Sequence, residues 1–115
     1  LRELGRQFMG FAFENPEAYN LMFVDKAPME TIDDQESWYC AMRTFDAFVD
    51  AVQACIDGGY FPNKDVLKLT MMTYGTAHGI ITLQIHRHLK MFPEESREEL
   101  IQGTMDYLLL LMQKA

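Results

Sequence analysis

Apolar residues recur at spacings of four and three along residues 38–56, and this repeat limits most strongly how the chain can fold. The repeat comprises Trp38, Met42, Phe45, Val49, Val52 and Ile56. Such spacing places every member on one face of an α-helix. Asp33 or Asp34 can cap the start, and Gly58-Gly59 can end the helix because glycine adopts the left-handed C′ conformation without steric cost. The sequence therefore predicts a long amphipathic helix between these signals.

Two shorter helices are predicted before this one. Residues 1–14 show apolar residues at a helical period, and Asn15 then precedes Pro16. A residue before proline is pushed out of the α region, whereas asparagine is a good N-cap and proline suits the first helical position. The dipeptide therefore ends one helix and starts another, which runs to about Val24. The acidic stretch Asp25 to Asp34 shows no period and is predicted to be a loop.

A fourth helix is predicted from Lys64 to about Leu89, and its middle carries two polar groups in an apolar stripe. The stripe comprises Leu67, Met71, Tyr74, His78, Ile81 and Ile85. A neighbouring surface carries Gly75 and Gly79, four residues apart, and two positions without side chains allow another helix to approach closely. The segment is predicted to be a packing centre with a phenol and an imidazole on its apolar side.

The last helix is predicted to begin between Pro93 and Ser96, where residues 96–99 form a capping-box pattern. Its five consecutive large apolar residues, 108–112, cannot all face one core. A helix that is apolar all round is buried on more than one side. We therefore expect a two-fold homodimer in which the last two helices of each chain form a four-helix contact. The prediction as a whole is one all-α domain, residues 1–115, with about five helices.

Composition excludes several classes of function. The 10 Lys+Arg and 17 Asp+Glu give a net charge of −7, which repels a nucleic-acid backbone, so this segment should not bind DNA by itself. No apolar run approaches the ~20 residues of a membrane span. The chain starts within a helix, and we expect an upstream segment to be missing. Cys40 and Cys55 share one predicted helix roughly 22 Å apart, so free thiols and a cytoplasmic setting are expected.

No catalytic, metal or cofactor site is expected. His78, His86 and His88 include no pair at the i, i+4 spacing that chelates from one helix face, and the last two, with Arg87 and Lys90, are predicted to lie at a helix C-terminus. No nucleophile motif, glycine-rich phosphate loop or paired carboxylates accompany His78, so an enzyme is not expected. Two interpretations of His78 remain open: a core histidine with a buried partner, or a hydrogen-bonding group for a ligand.

Several short motifs, taken in order, resemble a known family. They are Phe11-Ala12, Glu14-Asn15-Pro16, Tyr19-Asn20-Leu21-Met22-Phe23, Gly58-Gly59-Tyr60-Phe61 and Ala77-His78-Gly79. Together they resemble the C-terminal regulatory domain of tetracycline-repressor-like (TetR) transcription factors, in the group with an aromatic residue before a His-Gly pair. Tyr74 departs from that group, which more often has tryptophan there.

The resemblance implies a homodimeric, cytoplasmic bacterial transcriptional regulator, typically a repressor. DNA would be bound only through an N-terminal helix-turn-helix domain absent from this chain, and a small-molecule effector would be bound here. The implied ligand-binding residues are Phe11, Met22, Trp38, Met42, Phe45, Met71, Tyr74 and His78. The implied dimer interface is Gly79, Ile80, Leu83, Tyr107, Leu108 and Leu111. An interior rich in aromatic residues and methionine favours an apolar or aromatic ligand. The alternative is a helical dimerisation or adaptor module that binds no small molecule.

Overall fold

The structure is a computed structural model that describes residues 1–24 and 32–115. For residues 32–38 it describes the backbone alone. Five α-helices make up the described part of the chain. They are α1 (Arg2–Glu14), α2 (Pro16–Phe23), α3 (Ile32–Asp57), α4 (Val66–Ile85) and α5 (Glu94–Lys114). The described ranges contain no β-strand. The predicted all-α class with five helices is therefore confirmed. The predicted acidic loop falls mainly on residues 25–31, outside the described residues, and the side chain of Trp38 is also outside them.

The core is built around α4, which packs against α1, α3 and α5. A larger cluster of buried side chains joins all five helices. Its members are Phe8, Met9, Ala12, Tyr19, Phe48, Ala77, Ile81, Ile101 and Met105. A smaller cluster lies between α3, α4 and α5 and comprises Val52, Phe61, Leu69, Leu109 and Met112. The stripe predicted on α4 follows the core only in part, because Leu67 and Met71 are exposed while Leu69 and Thr73 are buried in their place.

Asn15 and Pro16 separate α1 from α2, as predicted. Pro16 occupies the first turn of α2, where its missing N–H costs no hydrogen bond. The Asn15 side chain forms a hydrogen bond with the end of α1, since its Nδ2 donates to the carbonyl oxygen of Phe11 at 3.1 Å. Asp65 caps α4 by accepting from the backbone N–H of Lys68 at 3.2 Å.

The helices α3 and α4 end in the same hydrogen-bond pattern, a Schellman motif. After α3, Gly59 donates to Ile56 at 3.0 Å and Tyr60 donates to Cys55 at 2.9 Å. Gly59 has a φ of 79°, as expected for glycine at C′.

The end of α4 repeats the pattern with arginine at the left-handed position. Arg87 donates to Gln84 at 3.1 Å, His88 donates to Leu83 at 2.8 Å, and Arg87 has a φ of 60°. The helix therefore ends at Ile85 rather than near Leu89. His86 is the C-cap residue and Arg87 follows it at C′, so these two lie at the helix C-terminus as predicted, whereas His88 and Lys90 lie beyond it in the segment that joins α4 to α5.

The start of α5 differs from the predicted capping box. The helix begins at Glu94, with Pro93 in the N-cap position. The hydroxyl of Ser96 donates back to the carbonyl oxygen of Pro93 at 3.0 Å, so it does not accept from a backbone N–H as an N-cap would. The predicted start between Pro93 and Ser96 is confirmed, but the capping role of Ser96 is wrong.

The molecule is a thin plate. Its extents are 42 × 37 × 17 Å and its radius of gyration is 15.1 Å, against about 13 Å for a compact domain of this length. No helix in the described part of the chain is long and apolar enough to cross a bilayer.

Candidate functional site

His78 lies inside a group of aromatic rings supplied by four helices, here called the aromatic cluster. Phe8 comes from α1, Tyr19 and Phe23 come from α2, Phe45 and Phe48 come from α3, and Tyr74 precedes His78 on α4 by one turn. The i, i+4 relationship puts Tyr74 and His78 on one face of α4. The cluster thus forms where the predicted polar pair meets the apolar faces of α1, α2 and α3.

Ring contacts enclose the imidazole on several sides. Its centroid lies 4.4 Å from that of Tyr74, 5.0 Å from Phe23 and 5.2 Å from Phe8. All three contacts are edge-to-face, with interplanar angles of 87°, 62° and 79°. This is a favourable geometry for aromatic pairs.

One hydrogen bond connects α2 to α4 within this cluster. The Tyr19 hydroxyl oxygen and Nδ1 of His78 are 2.5 Å apart. Tyr19 is only 1% exposed, so its hydroxyl requires a partner inside the protein. We assign the phenol as donor and Nδ1 as acceptor, which leaves the imidazole proton on Nε2.

Burial keeps the polar groups of the cluster uncharged. It lowers the pKa of His78 from its ordinary 6.5 to about 4. Burial raises the pKa of Tyr74 to about 12, with a further contribution from Tyr19. It also raises the pKa of Tyr19, an effect that the Thr82 side chain partly offsets. Near pH 7 the cluster is therefore neutral, and it can offer hydrogen bonds but no formal charge.

The structure brings some of the predicted ligand-binding residues together and separates others. Phe45, Tyr74 and His78 belong to the aromatic cluster. Phe11 and Met22 instead line a groove of about 440 Å³ at the surface between α1, α2 and α3. Met42 on α3 is 40% exposed and Met71 on α4 is 59% exposed.

Phe8 connects the groove to the aromatic cluster. Its ring lines the groove and also stacks on Tyr74 at a centroid distance of 6.0 Å with an interplanar angle of 14°. Phe8, Tyr19, Phe23 and Phe48 were not among the predicted site residues. Apolar periodicity gave no sign that Tyr19, 59 residues before His78, would be its partner.

The predicted dimer interface lies on the outer surface of α4 and α5. Leu83, Tyr107 and Leu111 are 42%, 63% and 48% exposed, Gly79 is exposed, and Ile80 and Leu108 are half-buried. Met72, Leu100 and Leu110 are among the further apolar residues exposed on these helices. A Cβ atom built on Gly79 would meet no atom within 4 Å. Within the described chain, this surface is left open.

Comparison with known families gives one match. The model of the tetracyclin repressor-like C-terminal domain matches residues 1–108, nearly the whole chain. No curated protein and no solved structure is significantly similar to the sequence.

Proposed function

Because the chain belongs to the tetracyclin repressor-like C-terminal domain family, we propose that it is the effector-sensing and homodimerisation domain of a transcriptional regulator. It acts by binding and catalyses no reaction. DNA is contacted through a helix-turn-helix domain that lies outside these 115 residues. The observation that carries the proposal is the uncharged polar pair Tyr74 and His78 on one face of α4, placed among aromatic rings from four helices.

The chemistry of the aromatic cluster favours an uncharged apolar or aromatic effector. A charged ligand placed among these rings would lose its hydration without gaining an ion pair. An uncharged aromatic ligand would pack against the same rings without that cost. The proton on Nε2 of His78 and the hydroxyl of Tyr74 can form hydrogen bonds with a single polar group of the ligand and so fix its orientation. Phe8 is the wall that such a ligand meets first if it enters from the groove lined by Phe11 and Met22.

Binding at this cluster would act on the relative position of α2 and α4. A ligand that accepts the Nε2 proton of His78 would reposition the imidazole, disturb its Nδ1 bond to Tyr19 and favour a second packing of α2. A coupling free energy of about 1–3 kcal/mol would change operator affinity roughly 5- to 150-fold. The dimer would transmit this change to the two DNA-binding domains.

The outer surface of α4 and α5 is proposed as the dimer interface. Its exposed apolar residues include Leu83 and Leu111, and Gly79 leaves room for a helix backbone to approach. Apolar patches larger than a few hundred Å² are rare on monomers. A second copy related by a two-fold axis would cover this surface with its own α4 and α5.

A thermal-shift panel tests the sensing role. Neutral aromatic compounds should raise the melting temperature of the chain by mass action, and His78→Ala should reduce the shift measured against that variant's own melting temperature. His88→Ala, in the segment after α4, is the matched control and should respond like the unmodified chain. If compounds raised the melting temperature of His78→Ala as much as that of the unmodified chain, the effector would not bind at this cluster.

One observation favours the alternative, a dimerisation module without a ligand. Nδ1 of His78 already has a partner in Tyr19, and the surrounding rings contact the imidazole directly. A filled core of this kind needs no effector. This alternative predicts that no compound in the panel shifts the melting temperature, while the dimer still forms.

A further inference from the structure

A cleft of about 510 Å³ lies where the segment between α4 and α5 faces the junction of α1 and α2. Its volume is in the range of small-molecule sites. Three cationic side chains line it, Arg87, Lys90 and Arg97, together with a single carboxylate, Glu94. The cleft is separate from the aromatic cluster, whose rings do not line it.

The cationic side of this cleft stands out in a chain of net charge −7. Among the described residues, no carboxylate lies within ion-pair distance of Arg87, Lys90 or Arg97. The adjoining cleft, which shares Glu94 and Arg97, has more acidic than basic lining residues, since Glu14, Glu94 and Glu98 line it together with Arg6 and Arg97. Cationic side chains therefore outnumber carboxylates in the first cleft and not in the second.

Arg97 fixes the shape of the cationic wall. Its Nε donates to the carbonyl oxygens of Leu89 at 3.1 Å and Phe92 at 2.9 Å. Its Nη2 donates to the carbonyl oxygen of Lys90 at 3.4 Å. These bonds hold the backbone of the connecting segment against α5, so the guanidinium is positioned in advance of any ligand.

Arg87 occupies a backbone position that glycine would fill more easily. Its φ of 60° is in the left-handed region, which side chains with a Cβ adopt at a cost. The equivalent position after α3 is Gly59. Strained residues that persist without a structural reason concentrate at functional sites. The Arg87 side chain lines the cleft, and a binding role there would explain why arginine occupies this strained position.

The cleft also has apolar lining residues. Phe13 from α1, Pro16 at the start of α2 and Ile85 at the end of α4 line it. We propose that this cleft binds a small organic anion with an apolar body, of the aromatic carboxylate class. The carboxylate is held by Arg87 and Lys90 beside the preset guanidinium of Arg97, and the body lies over Phe13 and Ile85. This proposal does not depend on the role given to the aromatic cluster.

Calorimetric titration of the 115-residue chain with benzoate tests the proposal, with benzamide as a neutral compound of the same shape. Ionic strength is matched with chloride. Benzoate should bind with a dissociation constant at or below about 10 mM, and benzamide should bind at least roughly tenfold more weakly because it lacks the charge-assisted hydrogen bonds.

Arg87→Gly is the decisive variant because the substitution relieves the backbone and keeps the fold. It should melt at the same temperature or higher, yet bind benzoate roughly tenfold more weakly. Lys114→Gln removes a distant positive charge at the end of α5 and should bind like the unmodified chain.

Three results would overturn the proposal. Equal affinity for benzoate and benzamide would show that charge plays no part. Unchanged binding by Arg87→Gly would place the anion elsewhere. Inorganic phosphate bound as tightly as benzoate would remove the role given to Phe13 and Ile85.

Discussion

The hydroxyl of Tyr19 and Nδ1 of His78, on two helices and 59 residues apart in the chain, form a 2.5 Å hydrogen bond within an aromatic cluster. This bond makes α2, a helix of only eight residues, part of the packing around α4. A buried hydrogen bond contributes to stability mainly because removing one partner leaves the other buried without a hydrogen bond.

Tyr19→Phe should therefore destabilise the domain by about 1–3 kcal/mol, since it leaves Nδ1 of His78 unpaired while keeping the ring. Urea unfolding followed by circular dichroism measures the change. Tyr60→Phe, at a position 66% exposed between α3 and α4, is the matched control and should have almost no effect. Equal stability of the two variants would mean that the Tyr19–His78 bond contributes nothing net.

Stability should fall as the pH is lowered from about 6.5 to about 4. The pKa of His78 is about 4 in the folded state against an ordinary 6.5, so the unfolded chain binds more protons in this interval. The free energy of unfolding then rises with pH, and its loss on acidification is on the order of 2 kcal/mol for this group.

His78→Asn isolates that contribution, because asparagine keeps an acceptor for Tyr19 and does not titrate. Its free energy of unfolding, measured in urea at several pH values, should depend less on pH than that of the unmodified chain. His88→Asn, at an exposed position, serves as the control. Parallel curves for all three proteins would contradict a lowered pKa at His78.

Two glycine substitutions should have opposite effects on stability. Gly59→Ala should destabilise by about 1 kcal/mol because the φ of 79° is strained for alanine. Gly10→Ala, inside α1 and with no atom within 4 Å of the added methyl group, should stabilise by about 0.5–1 kcal/mol. Melting temperatures of the two variants provide the measurement, and a shift of the same sign in both would contradict the role of Gly59 at the end of α3.

Gly79→Leu should separate dimerisation from folding. A Cβ atom added at Gly79 meets no atom within 4 Å, the position is exposed, and leucine is a better helix former than glycine, so helicity should be preserved. The same side chain would hold a partner helix away and weaken the dimer at least tenfold, as measured by sedimentation equilibrium.

The control for this experiment is Leu67→Lys. Leu67 is 58% exposed and lies on α4 about 140° around the helix from Met72, which shares the outer surface with Gly79. This variant should keep the oligomeric state of the unmodified chain. A dimer that tolerates Gly79→Leu would show that Gly79 is not at the interface.

Most of the helices could be predicted from the sequence because their signals are local. The repeat through Phe45 and Val52 and the Asn15-Pro16 boundary depend only on neighbouring residues. The end of α4 was missed because arginine, not glycine, occupies its C′ position, at Arg87. Arginine gives no sequence signal for a helix stop.

The site could be predicted only in part. Tyr74 and His78 were recognised because they interrupt an apolar stripe, but the partner of His78 depends on how α2 packs on α4, which periodicity does not specify. Met71 was included because its spacing matches the stripe. In the N-terminal half of α4 the buried residues include Leu69 and Thr73, so the predicted stripe is not the buried face there.

The 17 Å thickness of the molecule limits how far a signal between its two proposed surfaces has to travel. A helix with its side chains is about 10–12 Å across, and consecutive residues are about 100° apart around its axis. His78 and Gly79 are such a pair on α4. An effector beside one and a partner subunit against the other would be separated by the width of a single helix, so a small rotation of α4 would suffice, without a relay of intervening side chains.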